Sequence, residues 1–181
     1  AGTHSLVHSP HIGMLSEAET QEIVAADIPM TSTLAIFMPT FAEDNRNIRN
    51  RTGEDNIPRF RDLDPFPMDT ISSAGQGPVN ARLLYDAGLT YGFGTDTTYH
   101  PLDSFRHEIR SLRLVFSRRD IVTIMTRNAA AAILRAEDYG TLERGKVADI
   151  VIVDGNPLAD IDALHEVRLV IKGGEVVVDK R

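Results

Sequence analysis

The chain has 181 residues, 42% of them hydrophobic, with 26 acidic side chains against 19 lysines and arginines and a formal charge of -7. That length holds one domain, or two small ones, with a real core; the acidic balance argues against a nucleic-acid or anionic-membrane surface, because nothing in it would release phosphate counterions. Cysteine is absent, which excludes a disulfide scaffold, a zinc ribbon and a thiol nucleophile and fits a reducing, cytoplasmic compartment. The longest fully apolar run, Ala129–Leu134, is far too short to span a bilayer.

The chain opens Ala1-Gly2-Thr3-His4-Ser5-Leu6-Val7-His8, with no initiator Met, no basic leader and no apolar signal core. It starts inside a β-prone run, Thr3–His8, which predicts that the protein's N-terminal part lies elsewhere, upstream or on a partner chain. Ser16 precedes Glu19 by three, a capping-box signature, and Ala18, Ile23 and Val24 supply a weak apolar face, so a helix is predicted over 16–27. Met30–Phe37, apolar and β-branched, reads as a buried strand.

From Pro39 to Gly77 the pattern dissolves into Pro39, Pro58, Pro65 and Pro67 and the alternating charges of Glu43 to Arg61. A structureless stretch of that length in a compact domain is usually functional or disordered; residues 39–77 are expected to form a substrate lid. Pro78 after Gly77 predicts a helix start, Val79, Leu83, Leu84 and Ala87 repeat at helical spacing, and Gly88 fits the stop. Thr90–Gly94 is a short strand leading into Thr95-Asp96. Phe105, Ile109, Leu112 and Phe116 mark a second amphipathic helix, Ile121, Ile124 and Met125 a third, and Thr126 is expected to cap an alanine-rich helix over 128–135.

Beyond Gly140 the character changes. Ala148–Val153 reads as a strand, Asp154-Gly155-Asn156-Pro157 as a turn, and Val167–Lys172 with Glu175–Asp179 as a hairpin around Gly173-Gly174. Residues 1–140 therefore alternate strand and helix, the pattern of parallel α/β architecture, while 141–181 form a small all-β segment. Three strand–helix units cannot close a barrel, which needs eight. They would leave apolar faces and a strand edge to be covered by strands from elsewhere.

His4, His8 and His11 crowd the start, and His100 and His107 follow a Gly94-Thr95-Asp96 turn. In a strand, His4 and His8 share one face. A neutral imidazole at a strand end is a common metal ligand, although for any one of them taken singly a hydrogen-bonded surface or core histidine is the more usual case. Asp96 closes a strand, and a carboxylate at the C-terminal end of a barrel strand sits on the catalytic face. There it can bind a metal, accept a proton from metal-activated water, or both; its bland alternative is to cap the next turn. His8 and Asp96 together favour the metal site. His100, four residues after Asp96, is placed to reach substrate, with a solvated loop histidine as the alternative.

The segment Thr141-Leu142-Glu143-Arg144-Gly145-Lys146-Val147-Ala148-Asp149-Ile150-Val151-Ile152-Val153-Asp154-Gly155-Asn156-Pro157-Leu158 resembles the C-terminal signature of the metal-dependent amidohydrolase superfamily. Val170–Val177 resembles its closing hairpin, Thr126-Arg127-Asn128-Ala129-Ala130 its helix after the last barrel strand, Gly94-Thr95-Asp96 its eighth-strand motif, and Thr3–Ser9 its sixth-strand motif. The nearest branch is the imidazolonepropionase- and prolidase-like one.

The resemblance implies the C-terminal part of a (β/α)8 TIM barrel, strands six to eight, within 1–140, and part of a β-sandwich in 141–181. It implies His8 as a metal ligand, Asp96 as metal ligand and general base, and a divalent metal, Zn2+ by preference. The family's His-x-His on strand one, its bridging lysine and its fifth-strand histidine have no counterpart here, so metal number is not legible. His4 is expected behind the ligands, His11 at the pocket rim, His107 on the surface, and Arg46, Arg49 and Arg51 in solvent, with contact to a substrate carboxylate as their alternative.

The implied function is metal-dependent hydrolysis of a C–N bond (amide, lactam or peptide-like) in a small-molecule substrate. The alternatives are deamination or lactone hydrolysis on the same scaffold, or an inactive fragment with a structural role. The implied partners are the remaining N-terminal barrel part, on the same or another chain, and further copies in a homo-oligomer.

Overall fold

The computed structural model describes residues 2–37, 73–96 and 101–181, and two sheets organise them. Strands β1 (Leu6–Val7), β2 (Met30–Thr31) and β3 (Tyr91–Gly92) form a parallel sheet in chain order, with Leu6 opposite Met30 and Met30 opposite Tyr91. Parallel neighbours need a crossover. Helix α1 (Glu17–Ala25) lies between β1 and β2, and α2 (Ser73–Asp86) between β2 and β3. Helices α3 (Pro101–Leu112), α4 (Arg118–Thr123) and α5 (Ala129–Ala132) follow, the last two joined by a π-helical turn over Ile124–Asn128. Strands β4 (Ile150–Val153), β5 (Val167–Lys172) and β6 (Glu175–Asp179) make a separate antiparallel sheet. The observed architecture is α/β.

Local chemistry explains the helix starts. Ser16 Oγ accepts from Glu19 N–H at 3.3 Å while the Glu19 carboxylate accepts from Ser16 N–H at 2.8 Å, which satisfies two of the orphan donors of α1. Ser117 and Asp120 repeat the device at α4. Asp120 also accepts from Arg82 at 3.2 Å and from the Tyr85 hydroxyl at 3.2 Å, which ties α4 to α2. The core under the parallel sheet joins Met30, Leu34, Leu84, Tyr91, Ile109, Leu112, Ile121 and Ile124, and Ile161 from the C-terminal segment enters the same cluster. Each such side chain contributes roughly 1.5–3 kcal/mol through burial.

Several expected boundaries move. The Met30–Phe37 run is a strand only through Thr31 and then winds into a 3-10 turn over Leu34–Phe37. A distant group causes this: the buried Glu108 carboxylate accepts from Leu34 N–H at 3.1 Å and Ala35 N–H at 2.8 Å, so these amides leave the sheet ladder. Strand β1 ends before His8, whose φ of 68° is left-handed. The two-residue alternation that put His4 and His8 on one face therefore does not reach His8.

Helix α2 begins at Ser73, so Pro78 lies inside it rather than opening it, and residues 73–77 of the expected excursion are helical. The rest of that excursion, and the lid expected there, lies outside the described residues. Thr126 does not cap a helix: it sits in the π-helical turn and donates to the Val122 carbonyl at 2.6 Å. The hairpin Val167–Lys172 and Glu175–Asp179 has the expected bounds.

Candidate metal centre

Both candidate ligands stand just past the C-terminal ends of parallel strands. His8 N–H still donates to the Thr31 carbonyl at 3.2 Å, extending the β1–β2 ladder, and the left-handed turn then aims the half-buried ring across the sheet end. Its Nδ1 lies 2.6 Å from Thr33 Oγ1 and its Nε2 lies 3.5 Å from Asp96 Oδ2.

Asp96 reaches that point through a crowded approach. Gly94 N–H donates to Ser32 Oγ at 3.2 Å, and the Ser32 hydroxyl donates to the Gly94 carbonyl at 3.3 Å. A Cβ on Gly94 would meet Thr31 Cγ2 at 2.5 Å and the Ser32 carbonyl oxygen at 2.9 Å, so glycine is required by close approach. Asp96 itself has φ 42°, again left-handed. Two left-handed non-glycine residues face each other at the sheet end, and such strain gathers at functional sites.

Supporting contacts lie beneath them. Ser9 Oγ and the Tyr91 hydroxyl pair at 2.5 Å in the interior, joining the residue after His8 to strand β3. Burial raises the Tyr91 phenol above its ordinary range, against the Ser9 hydrogen bond, so it stays a neutral partner. Asn80, fully buried on α2, accepts from Leu15 N–H at 2.9 Å and donates to the carbonyls of Pro10 and Gly13 at 2.8 Å each, pinning the loop that follows His8. Glu108 on α3 is equally buried; desolvation pushes its carboxyl up to about 7, against the opposing hydrogen bonds from Ala35, Ser32 and Leu34. None of Thr33, Asn80 and Glu108 announces itself in the sequence, since each acts on backbone or side chains more than 20 residues away. A capping-type search finds local partners only.

The donor pair fits a divalent metal. A tetrahedral zinc with ligands at about 2.1 Å holds neighbouring donor atoms about 3.4 Å apart, and His8 Nε2 and Asp96 Oδ2 are 3.5 Å apart. The Nδ1 contact to Thr33 matches the outer hydrogen bond that ligating histidines make. Among the described residues no group of three or more His, Cys, Asp or Glu side chains gathers to complete a shell. His100, Arg46, Arg49 and Arg51 lie outside the described residues. His4 is exposed rather than behind the ligands, and His11 is half-buried with its Cβ beside Gly77. His107 is half-buried rather than on the surface, and burial, followed by the Arg110 charge, lowers its pKa.

Comparison with known proteins decides the family. Residues 34–178 match the model of the amidohydrolase family. The chain belongs to that family. It is 33% identical over 109 residues to the imidazolonepropionase of Shouchella clausii (strain KSM-K16), covering 56% of this chain and 24% of that protein. It is 40% identical over 115 residues to the imidazolonepropionase of Caldanaerobacter subterraneus subsp. tengcongensis, covering 55% and 26%. This amidohydrolase chain thus spans about a quarter of the curated relatives it matches.

In fold it is similar to a prolidase solved with N-methylphosphonate-L-proline, with a TM-score of 0.70 at 21% identity over 98% of this chain and 41% of that one. It is also similar to the atrazine chlorohydrolase of Arthrobacter aurescens TC1, solved as a mutant with zinc and atraton, with a TM-score of 0.58 at 21% identity over 97% and 36%. Among the described residues of this amidohydrolase no helix is long and apolar enough to cross a membrane.

Proposed function

We propose that the chain supplies the last three strand–helix units of an eight-stranded barrel, with residues 141–181 as part of a β-sandwich, in a metal-dependent hydrolase of C–N bonds. The observation that carries this reading is the 3.5 Å approach of His8 Nε2 to Asp96 Oδ2 past the ends of β1 and β3, across the end of the intervening β2. A resident divalent ion, zinc by preference, would supply Lewis acidity at this point and lower the pKa of water to about 7.

The rest falls to side chains of this chain. His8 presents Nε2 as a ligand. Asp96 serves as ligand and base: with Oδ2 facing His8 as the ligating atom, its other carboxylate oxygen accepts the proton of the attacking water and passes it to the departing nitrogen. His100, four residues after Asp96 in the sequence, is assigned to contact substrate. The substrate is a small molecule with a lactam, amide or peptide-like bond, in line with the imidazolonepropionase and prolidase names of the relatives.

Further strands cover what this chain leaves open. Val151, Val176 and Val177 are 58%, 55% and 55% exposed on the antiparallel sheet, and β6 stands at its edge, an arrangement that invites pairing.

Zinc content and hydrolysis of an imidazolone lactam and of Xaa-Pro dipeptides by the intact protein test this. His8→Ala should lower metal occupancy before anything else. A wild-type protein that binds no divalent metal and hydrolyses none of these substrates overturns the reading.

A further inference from the structure

The middle strand of the parallel sheet donates no candidate ligand, yet its end touches His8 and the backbone that leads to Asp96. Ser32 and Thr33 are 0% and 2% exposed. Ser32 exchanges hydrogen bonds with Gly94, two residues before Asp96, and Thr33 Oγ1 meets His8 Nδ1 at 2.6 Å. The turn that carries them is fixed from behind. Glu108, buried in α3, spreads its two carboxylate oxygens over the amides of Leu34 and Ala35, the next two residues.

An imidazole has two nitrogens, and the one that carries the proton cannot ligate. We propose that Thr33, in the turn clamped by Glu108, is a positioning residue that accepts a hydrogen bond from His8 Nδ1–H and so commits Nε2 to face Asp96 as the ligating atom. The inference rests on the metal reading above but adds a residue to it: Thr33 touches neither metal nor substrate and acts through His8. The geometry is suited to that role. Thr33 is buried directly before the 3-10 turn over Leu34–Phe37, and its partner ring is half-buried at the other end of the same contact.

Two variants of the intact protein separate this from a merely structural threonine. Thr33→Val keeps the shape and removes the oxygen; Thr33→Ser keeps the oxygen. Zinc affinity is read by competition with a chromophoric chelator, and the protonated nitrogen of His8 by 15N–1H correlation spectra of the metal-free protein at a pH where the ring is neutral.

Wild type should carry its His8 proton on Nδ1. Thr33→Val should mix the two tautomers and weaken zinc binding about 10–100-fold, while Thr33→Ser stays close to wild type in both. A Thr33→Val protein that melts normally, binds zinc as wild type does and keeps its proton on Nδ1 overturns the proposal. So does a wild-type His8 protonated on Nε2. If wild type binds no zinc, the metal reading fails by itself, and the tautomer of His8 still decides the role of Thr33.

Discussion

The parallel sheet and the antiparallel sheet of this chain obey different rules. Strands β1, β2 and β3 have two residues each and sit over a core that draws on four helices and on Ile161. Strands β4, β5 and β6 have four, six and five residues, and every residue of β6 is exposed. The longer strands are thus the poorly covered ones, and the short ones carry the candidate ligands at their ends. A hairpin needs only its own turn, with Gly173 and Gly174 at φ 58° and 88°. Strand β2 is ended by Glu108 from another helix, and past β1 and β3 left-handed residues turn the backbone to aim His8 and Asp96.

The sharpest way to break that contrast is chemical. Asp96→Asn preserves shape and backbone preference but cannot take a proton, so turnover in the intact protein should fall at least about a hundredfold with little change in melting temperature. Steady-state kinetics at full metal loading checks this, and near-normal turnover would remove Asp96 as the base.

Next in size is the buried carboxyl that bends β2. With its folded pKa raised to about 7 from an ordinary 4.5, Glu108 keeps its proton in the folded state while the unfolded chain releases it. Its contribution to stability is therefore fully present below about pH 4.5 and is lost as the pH rises toward 7. Relative to Glu108→Gln, wild type should lose on the order of 3 kcal/mol across that window and then level off. Urea unfolding of both proteins at a series of pH values measures it; parallel curves would mean that the carboxyl ionises as freely inside as outside.

Glycines sharpen the comparison further. Gly94→Ala drives a Cβ into backbone at 2.9 Å and should destabilise by about 1–3 kcal/mol. Gly173 has open space around its missing Cβ and needs only a left-handed backbone. Gly173→Asn, a residue that visits that region readily, should stay within about 0.5 kcal/mol of wild type. Denaturant midpoints of the two variants decide whether crowding governs one sheet and conformation the other. Equal losses would erase the distinction.

The same division explains what could be read in the sequence. The hairpin bounds followed from turn residues and β-branched runs, all within 13 positions of one another along 167–179. Ser16 and Glu19 announced α1 for the same local reason. The family resemblance was legible because its motifs, Gly94-Thr95-Asp96 and Thr141–Leu158, are contiguous. The end of β2 was not legible, since the acceptor that bends it is Glu108, more than 70 positions away. Nor was Thr33, whose neighbours Met30–Phe37 present an unbroken strand-like run. The left-handed turn at His8 had no glycine or proline to mark it.

That turn, and its counterpart at Asp96, have a consequence for inheritance. Asparagine is the side chain, after glycine, most at ease with a left-handed backbone, and it lies one base change from both histidine and aspartate in the genetic code. A lineage under no selection for the reaction can therefore exchange either candidate ligand for asparagine while the fold is left almost untouched. Descendants that have abandoned the chemistry would be recognisable by asparagine at positions 8 and 96 beside an intact Ser32-Thr33 and Gly94, a scar in two letters within an otherwise well-kept sheet.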